Sequence, residues 1–154
     1  MKTFRLFLED VGDNPKMAAG VLFYAPDTKK YGVALRSKEC DCPHTHGPVG
    51  GSAKGDETPE QACTRETKEE IGYKIDPKKL QHLDSSKKGN FTYHTYFYPL
   101  KKQDDMADIK LNDENDDFVW FDMKNPPKPL HPGFENTLNK TTKKLETLSN
   151  EHNM

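Results

Sequence analysis

The stretch that decides the fold runs from residue 51 to residue 73 and reads GSAKGDETPEQACTRETKEEIGY. Thr58 is a good N-cap, Pro59 suits the first helical position, and Gln61 at the third position completes a capping box. Gly72 is a common helix terminator, because it adopts the left-handed conformation without strain. The pattern therefore predicts a helix that begins at Pro59 and ends just before Gly72.

Three glutamates of this helix fall at positions i, i+3 and i+4. Glu66, Glu69 and Glu70 therefore crowd one helix face, where like charges repel. Arg65 and Lys68 are near but cannot neutralise all three carboxylates. A hard divalent cation with oxygen ligands would compensate them, and Mg²⁺ is the natural candidate. The alternative is a solvated acidic helix face without a ligand.

Composition limits the function classes. The chain has 154 residues, which predicts a single domain spanning residues 1–154. Its net charge of −2 provides no basic field for nucleic acid, and no apolar run approaches the ~20 residues that span a bilayer. The first residues do not resemble a signal peptide. Three cysteines cannot all pair within one molecule, so we expect a reducing, cytoplasmic environment without membrane association.

The remaining sequence predicts a β-hairpin, further strands and a final helix, an order typical of an α/β sandwich. The predicted strands are 18–24, 31–35, 91–100 and 118–121, and the predicted loops are 37–50, 104–117 and the proline-rich 126–132. The last helix carries Phe134, Leu138, Leu145 and Leu148 on one face, and we expect residues 150–154 to form a frayed tail.

Residues 1–12 form a predicted N-terminal amphipathic segment. Phe4, Phe7, Leu8 and Val11 have helical spacing behind a possible Thr3 cap. The segment is expected to pack on the domain, with a targeting or docking peptide as the alternative. Its first nine residues resemble N-terminal segments of tailed-phage proteins, and the host cytoplasm would be the compartment of a viral member.

The stretch quoted above resembles the Nudix box, G-x5-E-x7-R-E-U-x-E-E-x-G-U, in which U is a bulky aliphatic residue. Two positions depart from the pattern, since Thr67 and Tyr73 stand at U positions. The seven invariant positions are occupied by Gly51, Glu57, Arg65, Glu66, Glu69, Glu70 and Gly72. The resemblance implies a Nudix-type α/β/α sandwich with a mixed β-sheet.

The resemblance also implies roles for the box residues. Glu66, Glu69 and Glu70 would bind one or more Mg²⁺ ions, for which Mn²⁺ can substitute, and the Gly51 carbonyl would be a further ligand. Arg65 would orient a neighbouring carboxylate.

Two further acids lie outside this ligand set. Glu57 would support the ligands or bridge metal ions. The general base is left open between Glu70 and Glu114, the latter in an acidic loop that resembles the one carrying the base in some members. The alternative for Glu114 is one more solvated loop charge.

The implied reaction is hydrolysis of a nucleoside diphosphate linked to another moiety X, with water attacking phosphorus. ADP-ribose or dinucleoside polyphosphates are favoured, from the proline-rich segment and the lack of an extra N-terminal domain. Alternatives are an oxidised nucleoside triphosphate, NAD(H) or FAD, and a capped RNA 5′ end, the one nucleic acid considered. From another class, the domain would be an inactive nucleotide-binding protein. Whether it forms a homodimer is left open.

One loop and one arginine lie outside the box. Residues 40–46 contain Cys40, Cys42, His44 and His46, four borderline metal ligands within seven residues. We predict no tightly bound zinc, because no second chain segment supplies ligands to close a tetrahedron, and expect a loop near the substrate. Arg36 would end a strand close to this loop and contact a substrate phosphate, or be a surface arginine. Cys63 is expected in the core.

Overall fold

In the computed structural model, residues 16–153 are described, and they contain seven strands and two longer helices. The bounds are β1 Lys16–Ala25, β2 Lys30–Arg36, β3 His46–Gly47, β4 Val49–Ser52, α1 Pro59–Ile71, β5 Gln81–Lys88, β6 Phe91–Pro99, β7 Asn115–Phe121 and α2 Pro132–His152, with short 3₁₀ turns at Pro77–Lys79 and Gln103–Met106. The predicted N-terminal segment, residues 1–12, lies outside the described residues.

All seven strands join one mixed sheet, in the order β3-β2-β1-β6-β5, with β7 also pairing with β2 and β4 with β1. Strands β1 and β6 are parallel, and the other pairs are antiparallel. The β1–β2 hairpin is paired only near its turn, from Phe23↔Gly32 to Ala25↔Lys30. Where it opens, β4 pairs with the first half of β1 and β3 with the end of β2. Residues 46–52 are therefore inserted between the two strands.

The sheet separates two cores because successive strand residues point to opposite faces. In β1, Val21 and Phe23 pack on the face covered by α1, whereas Leu22 and Tyr24 pack on the other face with Leu138 and Leu145 of α2. Burial of each such side chain stabilises the fold by about 1.5–3 kcal/mol. The two helices on opposite faces confirm the predicted α/β/α sandwich with a mixed sheet.

The caps of α1 are formed as the sequence predicts. The Thr58 hydroxyl accepts a hydrogen bond from the Gln61 amide at 3.1 Å, and the Gln61 side chain accepts one from the Thr58 amide at 2.9 Å. Gly72 ends the helix with φ of +70° and donates its amide to the Lys68 carbonyl. These local interactions fix the two ends of α1, and therefore where the box glutamates lie along the helix.

Several predicted boundaries are wrong. The expected loop 37–50 contains β3 and the start of β4, whose partners lie in the distant hairpin. Strand β5 is absent from the predicted strands, because it is a polar edge strand in which only Leu83 is buried. Helix α2 begins at Pro132 rather than after the prolines, since proline is tolerated at the first helical position.

The start of β7 and the end of α2 also differ from expectation. Strand β7 begins at Asn115, inside the expected acidic loop. Helix α2 continues to His152, where a frayed tail is expected from the sequence, and the Tyr24 hydroxyl donates a hydrogen bond to the Asn153 side chain. Within residues 16–153 no helix is long and apolar enough to cross a membrane.

Candidate active site

Arg65 gathers three carboxylates of the box. Its guanidinium donates to both carboxylate oxygens of Glu57, at 2.8 and 2.9 Å, and to Glu66 and Glu69 at 3.2 Å. A further hydrogen bond of 2.9 Å to the Ser52 carbonyl ties the group to β4. Hydrogen bonding to Glu57 raises the pKa of Arg65 above its already high value. The arginine is therefore a cation that contacts three carboxylates of the box by charge-assisted hydrogen bonds.

Glycines at the open end of the hairpin allow α1 to approach the sheet closely. A Cβ atom on Gly51 would lie 2.5 Å from a carboxylate oxygen of Glu66, and one on Gly50 would lie 2.0 Å from the Ala19 carbonyl oxygen. Both distances are far inside van der Waals contact. A side chain at either position would push β4 away from β1 or from the helix.

Glu70 lies in a different environment from the acids around Arg65. It is only 4% exposed, and one of its oxygens accepts a hydrogen bond of 2.9 Å from the Asn115 side-chain amide. The other oxygen is buried and has no hydrogen-bond partner among the described residues. Burial raises the pKa of the Glu70 carboxyl well above its usual value, against the Asn115 hydrogen bond, and the nearby charges of Glu66 and Glu114 raise it further.

The loop before β7 is docked on the last turn of α1. The Lys110 and Asn112 amides donate to the Ile71 and Glu70 carbonyls, each at 2.9 Å. The Asn112 side chain in turn accepts from the Glu114 amide at 3.0 Å. These bonds satisfy helix carbonyls that would otherwise lack partners, and they bring Glu114 close to Glu70.

A cavity of about 490 Å³ opens beside Glu70 and Glu114. Its other walls come from the loop that follows β2, from the β5–β6 hairpin end and from the beginning of α2. The charged residues that line it are Arg36, Asp41, Glu70, Lys87, Lys88 and Glu114. Glu57, Arg65, Glu66 and Glu69 are not among the lining residues, so the structure brings Glu70, Glu114 and Arg36 to the cavity and leaves the Arg65 cluster behind them.

Arg36 is half-buried at the end of β2, as expected, and its Nε donates to the Asp41 carbonyl oxygen at 2.7 Å. Cys40 and Cys42 of the same loop line the cavity, whereas His46 belongs to β3 and contacts the Pro129 carbonyl oxygen at 2.9 Å. Across residues 16–153, no three histidine, cysteine, aspartate or glutamate side chains are arranged to hold a metal ion. Cys63 is fully buried in the core.

Two residues at the site are not indicated by the sequence. Asn115 contacts Glu70 across 45 positions of chain, and nothing in the local pattern distinguishes it from the other polar residues of its loop. Tyr93 lines the cavity and lies against Gly20, where a Cβ atom would be 2.2 Å from the tyrosine hydroxyl. The alternation of aromatic residues in β6 marks a strand but does not indicate which of them faces a cavity.

A family model described as the NUDIX domain matches residues 14–141 of the chain. Among solved structures, the fold is similar to RenU, a Nudix hydrolase from M. smegmatis, with a TM-score of 0.70 and 23% identity over 87% of this chain and 88% of that one. A C. elegans Ap4A hydrolase is similar with a TM-score of 0.61 and 21% identity, over 84% of this chain and 98% of that one. A NUDIX hydrolase from Nitrosomonas europaea is similar with a TM-score of 0.71 and 16% identity, over 88% of this chain and 74% of that one. No curated protein sequence matches the chain.

The family match covers most of the chain, and the chain therefore belongs to the Nudix family. It is a hydrolase that acts on pyrophosphate bonds.

Proposed function

We propose that the protein hydrolyses a nucleoside diphosphate linked to another moiety X, with ADP-ribose or dinucleoside polyphosphates as favoured substrates. The observation that carries this proposal is the buried Glu70 carboxylate at the cavity wall, with one oxygen lacking a partner among the described residues. The cavity of about 490 Å³ is of the size typical for small-molecule sites. An oxidised nucleoside triphosphate, NAD(H) and a capped RNA end remain the alternative substrates.

Magnesium fits the chemistry of the acids at this site. The unpartnered Glu70 oxygen and the repulsion between Glu66 and Glu70 both favour a cation, and an all-oxygen ligand set favours Mg²⁺ over softer metals. Glu66, Glu69, Glu70 and the Gly51 carbonyl would hold it, with Mn²⁺ able to substitute. Among the described residues the three carboxylates are not gathered around one point, and Arg65 pairs with Glu66 and Glu69, so these side chains would have to turn toward the ion. When bound, the cation would neutralise phosphate oxygens and lower the pKa of water.

The chain's own residues would then do three things. Arg65 would hold Glu57, Glu66 and Glu69 in fixed positions. Glu114 or Glu70 would accept a proton from the attacking water, since both line the cavity. Arg36 would contact a phosphate oxygen of the substrate. We place this activity in the cytoplasm, or in the host cytoplasm if the protein is viral.

A substrate panel in Mg²⁺ tests this proposal. It contains ADP-ribose, Ap4A, NADH, 8-oxo-dGTP and capped RNA, with products separated by chromatography. We expect cleavage of the phosphoric anhydride in ADP-ribose or Ap4A, and in H₂¹⁸O we expect the label in a phosphate group, because water attacks phosphorus. Cleavage of no compound in either Mg²⁺ or Mn²⁺, or label outside the phosphates, would contradict it.

A further inference from the structure

The cavity beside Glu70 has two walls of opposite charge. Glu70 and Glu114 form the carboxylate wall. Arg36, Lys87 and Lys88 also line the cavity, and we call these three residues the cationic wall. Asp41 is the only further charged side chain in the lining formed by the described residues, so the cationic wall has an excess of positive charge.

The backbone under the two lysines is fixed. Strand β5 pairs with β6 up to the end, with Lys87 opposite Thr92 and Lys88 opposite Phe91. Gly89, with φ of +60°, makes the tight turn between the strands, and the Lys16 amide donates to the Asn90 carbonyl at 2.8 Å. The lysines therefore stand on a hairpin end that is tied to β1, at a constant place on the cavity wall.

The positive charges of this wall form no ion pair with a carboxylate of residues 16–153. Neither lysine forms an ion pair with a carboxylate of the described chain, and the same holds for Arg36 within residues 16–153, which bonds to a backbone carbonyl instead. Elsewhere in residues 16–153, Lys140 pairs with Asp84 at 3.1 Å and Arg65 pairs with three glutamates, so these two cations are compensated where they stand. Cations that line a cavity and have no carboxylate partner among the described residues favour anions entering that cavity.

Charge separates the favoured substrates from each other. In ADP-ribose the only anionic groups are the two phosphates that undergo hydrolysis, and both ends of the molecule are neutral. A nucleoside triphosphate or dinucleoside polyphosphate has at least one phosphate more. That phosphate needs a cationic partner other than the acidic metal-binding side chains proposed for the carboxylate wall.

We propose that Arg36, Lys87 and Lys88 form a second anion site, which binds a phosphate beyond the hydrolysed diphosphate. The protein then prefers substrates with three or more phosphates over ADP-ribose. This inference rests on the proposed function for its kinetic consequence. Its binding consequence is independent, because the site takes a polyphosphate whether or not the bond is cleaved.

The first test is kinetic. The double variant Lys87→Gln/Lys88→Gln is compared with the wild type and with Lys78→Gln/Lys79→Gln, a matched pair of exposed lysines outside the cavity. We expect each cavity lysine to contribute about two- to fivefold, so kcat/KM for Ap4A or ATP relative to ADP-ribose falls by about tenfold. The control pair keeps the wild-type ratio. Because Ap4A and ATP are assayed separately, their kcat/KM values show which polyphosphate the protein prefers.

The second test needs no turnover. Inorganic tripolyphosphate is titrated into each protein by calorimetry without added metal, and we expect binding about tenfold weaker in the cavity double variant than in the control. Two results would overturn the second site. One is an equal loss of kcat/KM for ADP-ribose and for polyphosphates in the Lys87→Gln/Lys88→Gln variant, and the other is equal tripolyphosphate affinity in all three proteins. If no panel compound is cleaved but tripolyphosphate binding depends on Lys87 and Lys88, the proposed function fails and the anion site stands.

Discussion

The acidic residues of helix α1 and of the loop before it lie in two environments. The two differ in whether a cation of the protein contacts the carboxylates. Glu57, Glu66 and Glu69 surround the guanidinium of Arg65, which reaches all three within 3.2 Å. One helical turn beyond Glu66, Glu70 is also buried but has a neutral amide, Asn115, as its hydrogen-bond partner. Asn115 can orient a carboxylate but cannot neutralise it. Burial raises the pKa of the Glu70 carboxyl well above its usual value, and the hydrogen bond from Asn115 offsets this only in part.

This difference teaches how one acidic helix face can serve two purposes. An acid that meets a fixed cation is held in place and contributes to the structure of the site. An acid buried beside a cavity without such a cation is destabilising by itself, and is best explained by a ligand that supplies the charge. The following predictions test this division, from the largest expected effect to the smallest.

The largest effect is expected for Glu70→Gln. Turnover should fall by about 10³-fold or more, because the variant lacks both the negative charge and a candidate base. The free energy of unfolding should stay equal or rise, since a carboxyl with a raised pKa in the folded state loses stability as pH rises above its unfolded pKa. Kinetics and urea unfolding measure both. Glu60→Gln, on the same helix but outside the cluster, is the control, and a Glu70→Gln enzyme with near-normal rate would remove the assigned site.

Glu114→Gln separates the two candidate bases. If Glu114 accepts the proton, kcat falls about 10²–10⁴-fold and Mg²⁺ affinity hardly changes, because Glu114 is not proposed as a ligand. A loss below about tenfold would identify it as an ordinary loop charge. Asp113, Asp116 and Asp117 can supply substitute carboxylates, so each is replaced by asparagine in a separate variant.

Arg65→Gln should act on stability. It leaves the buried Glu66 without its cation and breaks both bonds to Glu57, which we expect to lower the free energy of unfolding by about 3 kcal/mol. Arg65→Lys keeps the charge but not the two-pronged contact, and should lie between the wild type and Arg65→Gln. Urea unfolding curves measure the difference. An Arg65→Gln protein as stable as the wild type would show that the cluster needs no fixed cation.

The smallest effect concerns His131, whose ring nitrogen accepts the Gly133 amide at 3.0 Å and so caps α2. Burial and the nearby charge of Arg36 lower the pKa of His131 to about 4, from an ordinary histidine value of 6.5. As pH falls, His131 is therefore protonated in the unfolded chain before it is protonated in the folded protein. The free energy of unfolding should decline as pH falls from about 6.5 to 4. His131→Asn keeps a capping side chain without this titration. Unfolding midpoints across this pH range should fall less steeply in the variant, and parallel profiles would refute the assignment.

How far the sequence predicts the molecule depends on how local the determining interactions are. Helix α1 is predicted to the residue, because Thr58, Gln61 and Gly72 act within one turn of its ends. Strand β5 is not predicted because it is polar, and its place in the sheet depends on pairing with β6. Short strands β3 and β4 likewise exist only because the distant hairpin opens to receive them.

The same reasoning applies to the site. The box spacing predicts that Glu66, Glu69 and Glu70 share a helix face, and in the structure Arg65 pairs with Glu66 and Glu69 but not with Glu70. It does not predict that Glu70 has an amide partner, because Asn115 comes from a strand 45 residues away. Nor does it predict the cationic wall, since Arg36 and the two lysines meet only through the folded sheet.

The measurement that tests the central claim most directly is a Mg²⁺ titration by calorimetry, repeated with Mn²⁺, on the wild type, Glu70→Gln, Asn115→Ala and Glu60→Gln. The claim is that the uncompensated Glu70 carboxylate holds the divalent cation. We predict about 10–100-fold weaker binding in Asn115→Ala, as expected for the loss of a residue that orients a ligand. Glu70→Gln should lose at least as much, and Glu60→Gln should bind like the wild type. Wild-type affinity in Glu70→Gln would contradict the claim.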